Sequence, residues 1–271
     1  MTDLNGKLFF ITGAGDGIGK QTALLAARKG AQVIATDINA DSALATAAEI
    51  TETGQKAHGY GLDVTDREAF FDLADTVKAT HGPVDILMNN AGVTVYASAD
   101  KMTQEELDWV MGINFFGTVT GCNAFLPQMM AQGSGHIINV SSILGLIGLP
   151  NQAGYCASKF AVLGYSESLR LEMADHNINV TVVHPGGVTT RIAERARIMQ
   201  IEDAEAIQKK LAEDFAQMTI TSPEKAAEII LRAVEKGKAK CLVGPDAKVV
   251  DWTKRLTPVG YSGLINRMFK V

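Results

Sequence analysis

Residues 7–37 limit the possible folds more than any other stretch of the chain. Lys7 to Thr12 reads as a short buried strand built on Leu-Phe-Phe-Ile-Thr. The loop Gly13-Ala14-Gly15-Asp16-Gly17-Ile18-Gly19 follows. Ile18, Thr22, Leu25, Ala26 and Lys29 then recur at helical spacing until Gly30 stops the helix. Gln32 to Asp37 is a second apolar strand. Strand, glycine loop, helix and strand within about thirty residues make a βαβ unit suited to a dinucleotide. Glycines let the backbone approach a pyrophosphate, and the helix start offers it N–H groups and the positive end of a dipole. Asp37 closes the second strand, where an acid binds ribose hydroxyls and repels a 2′-phosphate. The expected cofactor is therefore NAD rather than NADP. The spacing of Gly13, Gly17 and Gly19 is G-x-x-x-G-x-G, a departure from the general G-x-G-x-x-G fingerprint.

The alternation continues to the end of the chain. Helices are predicted over 39–53, from the Thr65-x-x-Glu68 capping box to His81, and from the Thr103-x-x-Glu106 capping box onward. Others are predicted over Asn114–Gln132 and Gln152–His176, and from Ser222-Pro223 to Gly237. Between them lie strands at His58–Leu62, Asp85–Asn89, His136–Val140, Val180–His184 and Lys240–Val243. Apolar strands alternating with helices mean an α/β fold with a doubly wound parallel sheet covered on both faces. No linker, repeat or low-complexity run interrupts the pattern, so residues 1–271 are expected to form a single domain. Ligands of such sheets lie beyond the carboxyl ends of the strands. The glycine loop, Asp37, Asp63, Asn90, Ser141-Ser142 and Pro185-Gly186 all fall there.

The bulk properties exclude several other functions. A net charge of −5 with no basic run argues against nucleic acid as a partner. Leu8-Phe9-Phe10-Ile11 is too short for a signal peptide core, and no run approaches the ~18 apolar residues of a membrane span. Cys122, Cys156 and Cys241 form neither a disulfide framework nor a zinc pattern, which points to a reducing cytoplasm. The five histidines, 58, 81, 136, 176 and 184, lack metal-ligand spacing, and each is expected on the surface or in a loop. No metal site is expected.

One pair of residues carries chemistry. Tyr155 and Lys159 stand four apart on a predicted helix, so a phenol and an ammonium share one face. A phenol titrates near ~10 and is a poor base at neutral pH. A neighbouring cation favours the phenolate, so Lys159 is expected to draw the Tyr155 pKa toward working pH.

These stretches together resemble the short-chain dehydrogenase/reductase family, in its subgroup of about 250 residues. The resemblance rests on Thr12-Gly-x-x-x-Gly-Ile-Gly19, Asn89-Asn-Ala-Gly92, Ser142 thirteen before Tyr155, Tyr155-x-x-x-Lys159 and Pro185-Gly186, and covers roughly residues 5–245. It implies a Rossmann fold with a seven-stranded sheet and reversible NAD(P)-dependent oxidation of an alcohol. It implies Tyr155 as acid/base, Lys159 lowering its pKa and binding the nicotinamide ribose, and Ser142 donating to the substrate oxygen. Asn114 matches the family's helix Asn, which orders a water beside Lys159. Asp63 and Val64 match adenine contacts. Asn90, with Ala91 and Gly92, matches the ribose side, and Pro185, Gly186, Val188 and Thr190 match the nicotinamide side. Ala14 and Asp16 place no cation beside the adenosine ribose, which again favours NAD. A homodimer or homotetramer through the 103–132 and 152–176 helices is implied.

The substrate walls are expected in three places. Residues 189–221 should form a lid carrying Ile192, Ile198, Met199, Ile201, Ile207, Leu211, Phe215 and Met218. Ile143, Leu144 and Leu149 follow Ser142, and Val93 follows the fourth strand. Walls this apolar suggest a lipophilic secondary alcohol or ketone, such as a steroid or terpenoid. Cys156 is expected to pack rather than react. Residues 245–271 extend the family's minimum length. This basic, apolar tail suits a subunit interface, the mouth of the site or a membrane surface. Two other functions stay open, a non-catalytic NAD sensor of the same fold and a sugar-nucleotide epimerase or dehydratase, which also uses Tyr-x-x-x-Lys.

Overall fold

The computed structural model describes residues 2–198, 208–209, 213 and 219–263. Seven strands form one parallel sheet: β1 (Leu8–Thr12), β2 (Gln32–Asp37), β3 (Ala57–Gly61), β4 (Ile86–Asn89), β6 (Gly135–Val140), β7 (Ile178–Pro185) and β9 (Lys240–Val243), in the order β3-β2-β1-β4-β6-β7-β9. A separate parallel pair joins β5 (Val95–Tyr96) to β8 (Arg197–Ile198). The helices between the strands are α1 (Gly17–Arg28), α2 (Ala40–Glu52), α3 (Arg67–His81), α4 (Gln104–Met111), α5 (Gly117–Gln132), α6 (Ala153–Glu172), α7 (Pro223–Glu235) and α8 (Pro245–Leu256). This is the doubly wound Rossmann fold expected from the alternation.

Side chains alternate across each strand, which explains why the strands read as unbroken apolar runs. Phe9, Ile11, Val33, Ala35, Ile86 and Met88 face α1, α2 and α7. Leu8, Phe10, Ile34, Leu87 and Ile137 face α3, α5 and α6, where Phe10 packs 4.7 Å from Phe125 between ring centroids. β1 lies between β2 and β4, so the strand order reverses beside it. The crevice at that reversal is where such sheets bind ligands.

Local signals place most helix ends. Thr103 and Glu106 form the expected reciprocal capping box, and Ser222 caps α7 with Pro223 in its first turn. The third helix differs. Asp66 caps it by accepting from the Ala69 N–H, and Asp63 accepts from Thr65, so the expected Thr65–Glu68 box does not form. Asn114 does not begin a separate helix either. It lies in a π-helical turn, Gly112–Phe116, that joins α4 to α5. Of the expected lid, residues 189–198, 208–209, 213 and 219–221 are described. Met199, Ile201, Ile207, Leu211, Phe215 and Met218 lie outside the described residues.

Two histidines expected on the surface or in loops are fully buried, His136 on β6 and His184 on β7. They occupy strand positions that face helices, and neutral imidazoles with hydrogen-bond partners are tolerated there. The Thr181 hydroxyl donates to the Lys238 carbonyl at 2.7 Å, so it accepts from His136 Nε2–H at 2.8 Å. His136 Nδ1 in turn accepts from the Thr2 hydroxyl at 2.8 Å. Burial pushes both rings down to about 4. Each ring is then neutral when folded, while the unfolded chain protonates near ~6.5. Their stabilisation is present above pH ~6.5 and is lost as pH falls toward 4, on the order of 3 kcal/mol per ring. A thermal melting series from pH 7 to 4.5 should show a steep loss that His136→Gln makes shallower.

Candidate active site

The parallel strands deliver their carboxyl ends to one edge, and the predicted site residues gather there. The glycine loop leaves β1 and enters α1. Gly17 has φ 53°, a left-handed backbone, and a Cβ there would lie 3.1 Å from Thr190 Cγ2. A Cβ on Gly19 would lie 2.2 Å from the Gly13 carbonyl oxygen and 2.5 Å from Asn90 Nδ2. Asn90 holds the loop by donating from Nδ2 to the carbonyls of Thr12 and Gly13, both at 3.0 Å. The Thr12 hydroxyl accepts from the N–H groups of Asn90 and Ala91. Thr12 opens the glycine motif quoted above, and its role in holding Asn90 and Ala91 is a tertiary contact. Asn90's side chain thus shapes the loop. Asp37 accepts from the Gly15 and Asn39 N–H groups, each at 3.0 Å. Asp63 sits in the turn after β3, beside the buried Val64.

Asp16 behaves differently from the expectation. It caps α1 by accepting from the Gly17 N–H at 2.8 Å, and it pairs with Arg191 and, at 3.6 Å, with Arg195. Burial works to raise its pKa, but Arg191, the Gly17 N–H and Arg195 outweigh it and hold the carboxyl below its usual range. Cations do therefore stand beside this end of the loop. They come from the segment after β7, Arg191 from 175 residues downstream.

The second half of the site comes from β6, the π-turn and α6. Lys159 is buried at 3 % exposure and donates to the Val140 carbonyl at 3.0 Å. A Cβ on Gly92 would lie 3.2 Å from both Lys159 Nζ and Asn114 Oδ1, so the end of β4 brings these two groups together. Asn114 grips the backbone of Val93, accepting from its N–H at 2.8 Å and donating to its carbonyl at 3.0 Å. It also donates to the Ser158 hydroxyl at 2.9 Å. Ser142 ends β6's extension in extended backbone, and its hydroxyl accepts from the Leu144 N–H at 3.1 Å. Ser142 stands near enough to the Tyr155 phenol to pull its pKa down.

The charge state departs from the simple expectation. Burial pushes the Tyr155 phenol up to about 12, against the lowering influence of Ser142. Burial also brings Lys159 down to about 8. The Lys159 Nζ stands 5.8 Å from the phenol ring centroid, and burial, the largest influence on the phenol, disfavours its charged form. The Tyr155 phenol thus keeps its proton at neutral pH in this structure. Cys156 is buried, and its thiol is raised by that burial, as a packing residue's would be.

Ile143, Leu144, Leu149 and Tyr261 pack against Ile147 and Val250, while Val93 and Tyr155 pack against the buried cluster of Val95, Ala97 and Val110. Ile192 is half-buried on the arm beside Arg191 and does not join these groups. The C-terminal segment contributes more than its sequence suggests. The Tyr261 hydroxyl accepts from the Gly148 N–H at 3.4 Å. Asp246, at the start of α8, accepts from the Gly187 N–H at 2.6 Å and so supports the Pro185-Gly186-Gly187 turn. The Gly244-Pro245-Asp246 sequence was the available signal for that support. Val188 is buried and bridges Thr221, which anchors the far end of the described lid residues.

The donor set fits a nicotinamide dinucleotide. The glycine loop leaves no room for Cβ atoms, and α1 starts beside it. Lys159 has N–H groups beyond its bond to Val140 for ribose hydroxyls. Among the described residues there is no cluster that could hold a metal, and no helix long and apolar enough to cross a membrane.

Comparison with known proteins agrees with this geometry. The family described as short chain dehydrogenase matches residues 7–201. The Mycobacterium tuberculosis protein SadH, which its name assigns provisionally to the oxidoreductases, is 40% identical over 268 residues, 98% of this chain and 96% of that protein. The C alpha-dehydrogenase of Sphingobium sp. is 32% identical, over 92% of this chain and 84% of its own. A short-chain dehydrogenase/reductase from Burkholderia phymatum, solved in complex with NAD, superposes with a TM-score of 0.86 at 25% identity, over 93% of this chain and 94% of its own. A short-chain dehydrogenase from Streptomyces avermitilis gives 0.83 at 30% identity, over 98% of each chain. The chain belongs to the short-chain dehydrogenase family of oxidoreductases.

Proposed function

We propose that this protein interconverts a lipophilic secondary alcohol and its ketone with NAD(H). The observation that carries the reading is the grouping of Ser142, Tyr155, Lys159 and Asn114 beside the glycine loop, at the carboxyl edge of the sheet. Tyr155 gives a proton to the ketone oxygen, or takes it back from the alcohol. Ser142 donates to the same oxygen and steadies its developing charge. Lys159 binds the ribose next to the phenol, and Asn114 fixes the Val93 backbone that walls the site. When bound, the nicotinamide supplies or takes the hydride, and its oxidised ring adds positive charge that favours the phenolate. The apolar groups around Ile143, Leu144, Leu149 and Val93 support a lipophilic substrate. NADH formation on 2-butanol, cyclohexanol and testosterone, with NAD and NADP side by side, tests this. Oxidation of the larger alcohols with NAD supports the reading, and activity confined to 2-butanol would overturn the lipophilic assignment.

Asp37 supports NAD, since its carboxylate is fixed at the end of β2 by the Gly15 and Asn39 N–H groups. Relatives differ here: the Burkholderia protein was solved with NAD, and a Beutenbergia cavernae relative, 28% identical with a TM-score of 0.77 over 89% of this chain and 96% of its own, with NADP at low occupancy. Removing a like charge beside a 2′-phosphate should be worth about 1 kcal/mol or more. Asp37→Ala should therefore tighten NADP binding by roughly fivefold to tenfold relative to NAD. An unchanged preference in a titration with both cofactors would end the role given to this acid. A homo-oligomer is part of the same proposal. Phe116, Met130, Phe160 and Leu171 leave large apolar surfaces exposed on or beside α5 and α6.

A further inference from the structure

We propose that His184 is a positioning residue that fixes the peptide of Ser142 and thereby aims the Ser142 hydroxyl at Tyr155. The inference rests on the reading of Ser142 and Tyr155 given above. His184 lies on β7, next to the carboxyl end of β6, with its ring fully buried. Its Nδ1 lies 3.0 Å from the Ser142 carbonyl oxygen. A carbonyl can only accept, so Nδ1 carries the proton and donates. Burial keeps the ring neutral, which leaves Nε2 as a bare acceptor without a hydrogen-bond partner.

The Ser142 peptide needs this second hold. On its N-terminal side the chain is fixed, because the Ser141 N–H donates to the Val183 carbonyl at 2.8 Å and the Ser141 hydroxyl to the Lys159 carbonyl at 2.8 Å. On its C-terminal side the chain leaves the sheet for a short turn, where the Gly145 N–H donates to the Ser142 carbonyl at 3.0 Å. His184 supplies the remaining donor, from the body of the sheet. That donor sets the direction of the carbonyl, hence the torsion next to Cα and the direction of Cβ–Oγ. Beyond the ring, His184 pairs in register with Leu242 of β9, and the charges that act on it are Lys240 on β9 and Asp251 on α8, which pair with each other. The ring therefore stands between the catalytic turn and the C-terminal helix. A histidine kept only to fill space would not need its proton on the nitrogen that faces Ser142.

Asparagine and leucine have nearly the same shape, and only asparagine can donate near the position of Nδ1. His184→Asn and His184→Leu thus leave the same space and differ in the hydrogen bond alone. The readout is the 13Cζ resonance of Tyr155 in tyrosine-labelled protein at pH 7.5, assigned by its loss in Tyr155→Phe. It reports the hydrogen bonding of the phenol and needs no substrate. Ser142→Ala should move it, His184→Leu should move it in the same direction, and His184→Asn should leave it at the wild-type position. In the alcohol panel, His184→Leu should lower kcat roughly tenfold to a hundredfold at unchanged KM, with His184→Asn restoring most of it. His184→Phe, which fills the ring's volume without a donor, takes the place of His184→Leu should that variant not fold. A resonance unmoved in the donor-less variant, or moved equally by the asparagine and leucine variants, overturns the proposal. A resonance unmoved by Ser142→Ala instead overturns the Ser142–Tyr155 reading, and the proposal falls with it.

Discussion

Tyr155→Phe is expected to abolish NADH formation from every alcohol in the panel, a loss of at least ~10²- to 10⁴-fold, the range for removing a positioned acid or base. The substitution deletes one oxygen and keeps the ring. The ring's packing against the buried cluster of Val95, Ala97 and Val110 survives, and so does the bond from the Ser158 hydroxyl to the residue 155 carbonyl at 2.7 Å. Burial already disfavours the phenolate, so removing the hydroxyl creates no buried unpaired charge, and the melting temperature should hold within a few degrees. NADH should bind the variant as tightly as the wild type, because the glycine loop, Asp37 and Lys159 are untouched. Fluorescence titration with NADH beside steady-state turnover separates these effects. A variant that still turns over within tenfold of wild type would remove Tyr155 from the chemistry.

Gly19→Ala is expected to have the second-largest effect, and on binding. The added methyl would stand 2.2 Å from the Gly13 carbonyl oxygen and 2.5 Å from Asn90 Nδ2. The first contact is to backbone, so relief requires the loop to move. The second threatens the Asn90 clamp on Thr12 and Gly13. Overpacking of this kind costs about 1–3 kcal/mol. Because the strain falls where the pyrophosphate would lie, NADH affinity should fall roughly tenfold to a hundredfold. Gly54→Ala is the control. It also has positive φ, at 82°, but meets nothing within 4 Å and lies after α2, so it should cost stability without changing NADH affinity. Equal NADH affinity in the Gly19 variant and the wild type would mean that the loop does not carry the cofactor.

The parts of this architecture that were legible in the sequence are those with short-range physics. The glycine loop, the Thr103–Glu106 box and the Ser222-Pro223 cap are each decided within a few residues. The strands stood out because both faces of a parallel sheet are covered, which makes each strand an apolar run. The π-turn at Gly112–Phe116 left no mark, since helical periodicity barely changes when one turn widens by a residue. Asp66 displaced Thr65 as the α3 cap because Asp63 engages Thr65 in its own turn. Contacts set by tertiary folding were invisible for a different reason. Arg191 meets Asp16, and Tyr261 meets Gly148, across separations that no local pattern encodes. The two buried histidines were misread because a polar residue type suggests surface, while its strand position and partners allow burial.

The central claim, hydride transfer between a secondary alcohol and a nicotinamide, is most directly tested with cyclohexanol carrying deuterium on its carbinol carbon. Incubation with NAD and analysis of the NADH by mass spectrometry follows the transferred atom itself. The account predicts NADH one mass unit heavier from the wild type, and none from Tyr155→Phe. NADH that carries no deuterium, or tight NADH binding with no transfer from this or any other panel alcohol, would contradict it and favour a cofactor-binding protein without this chemistry.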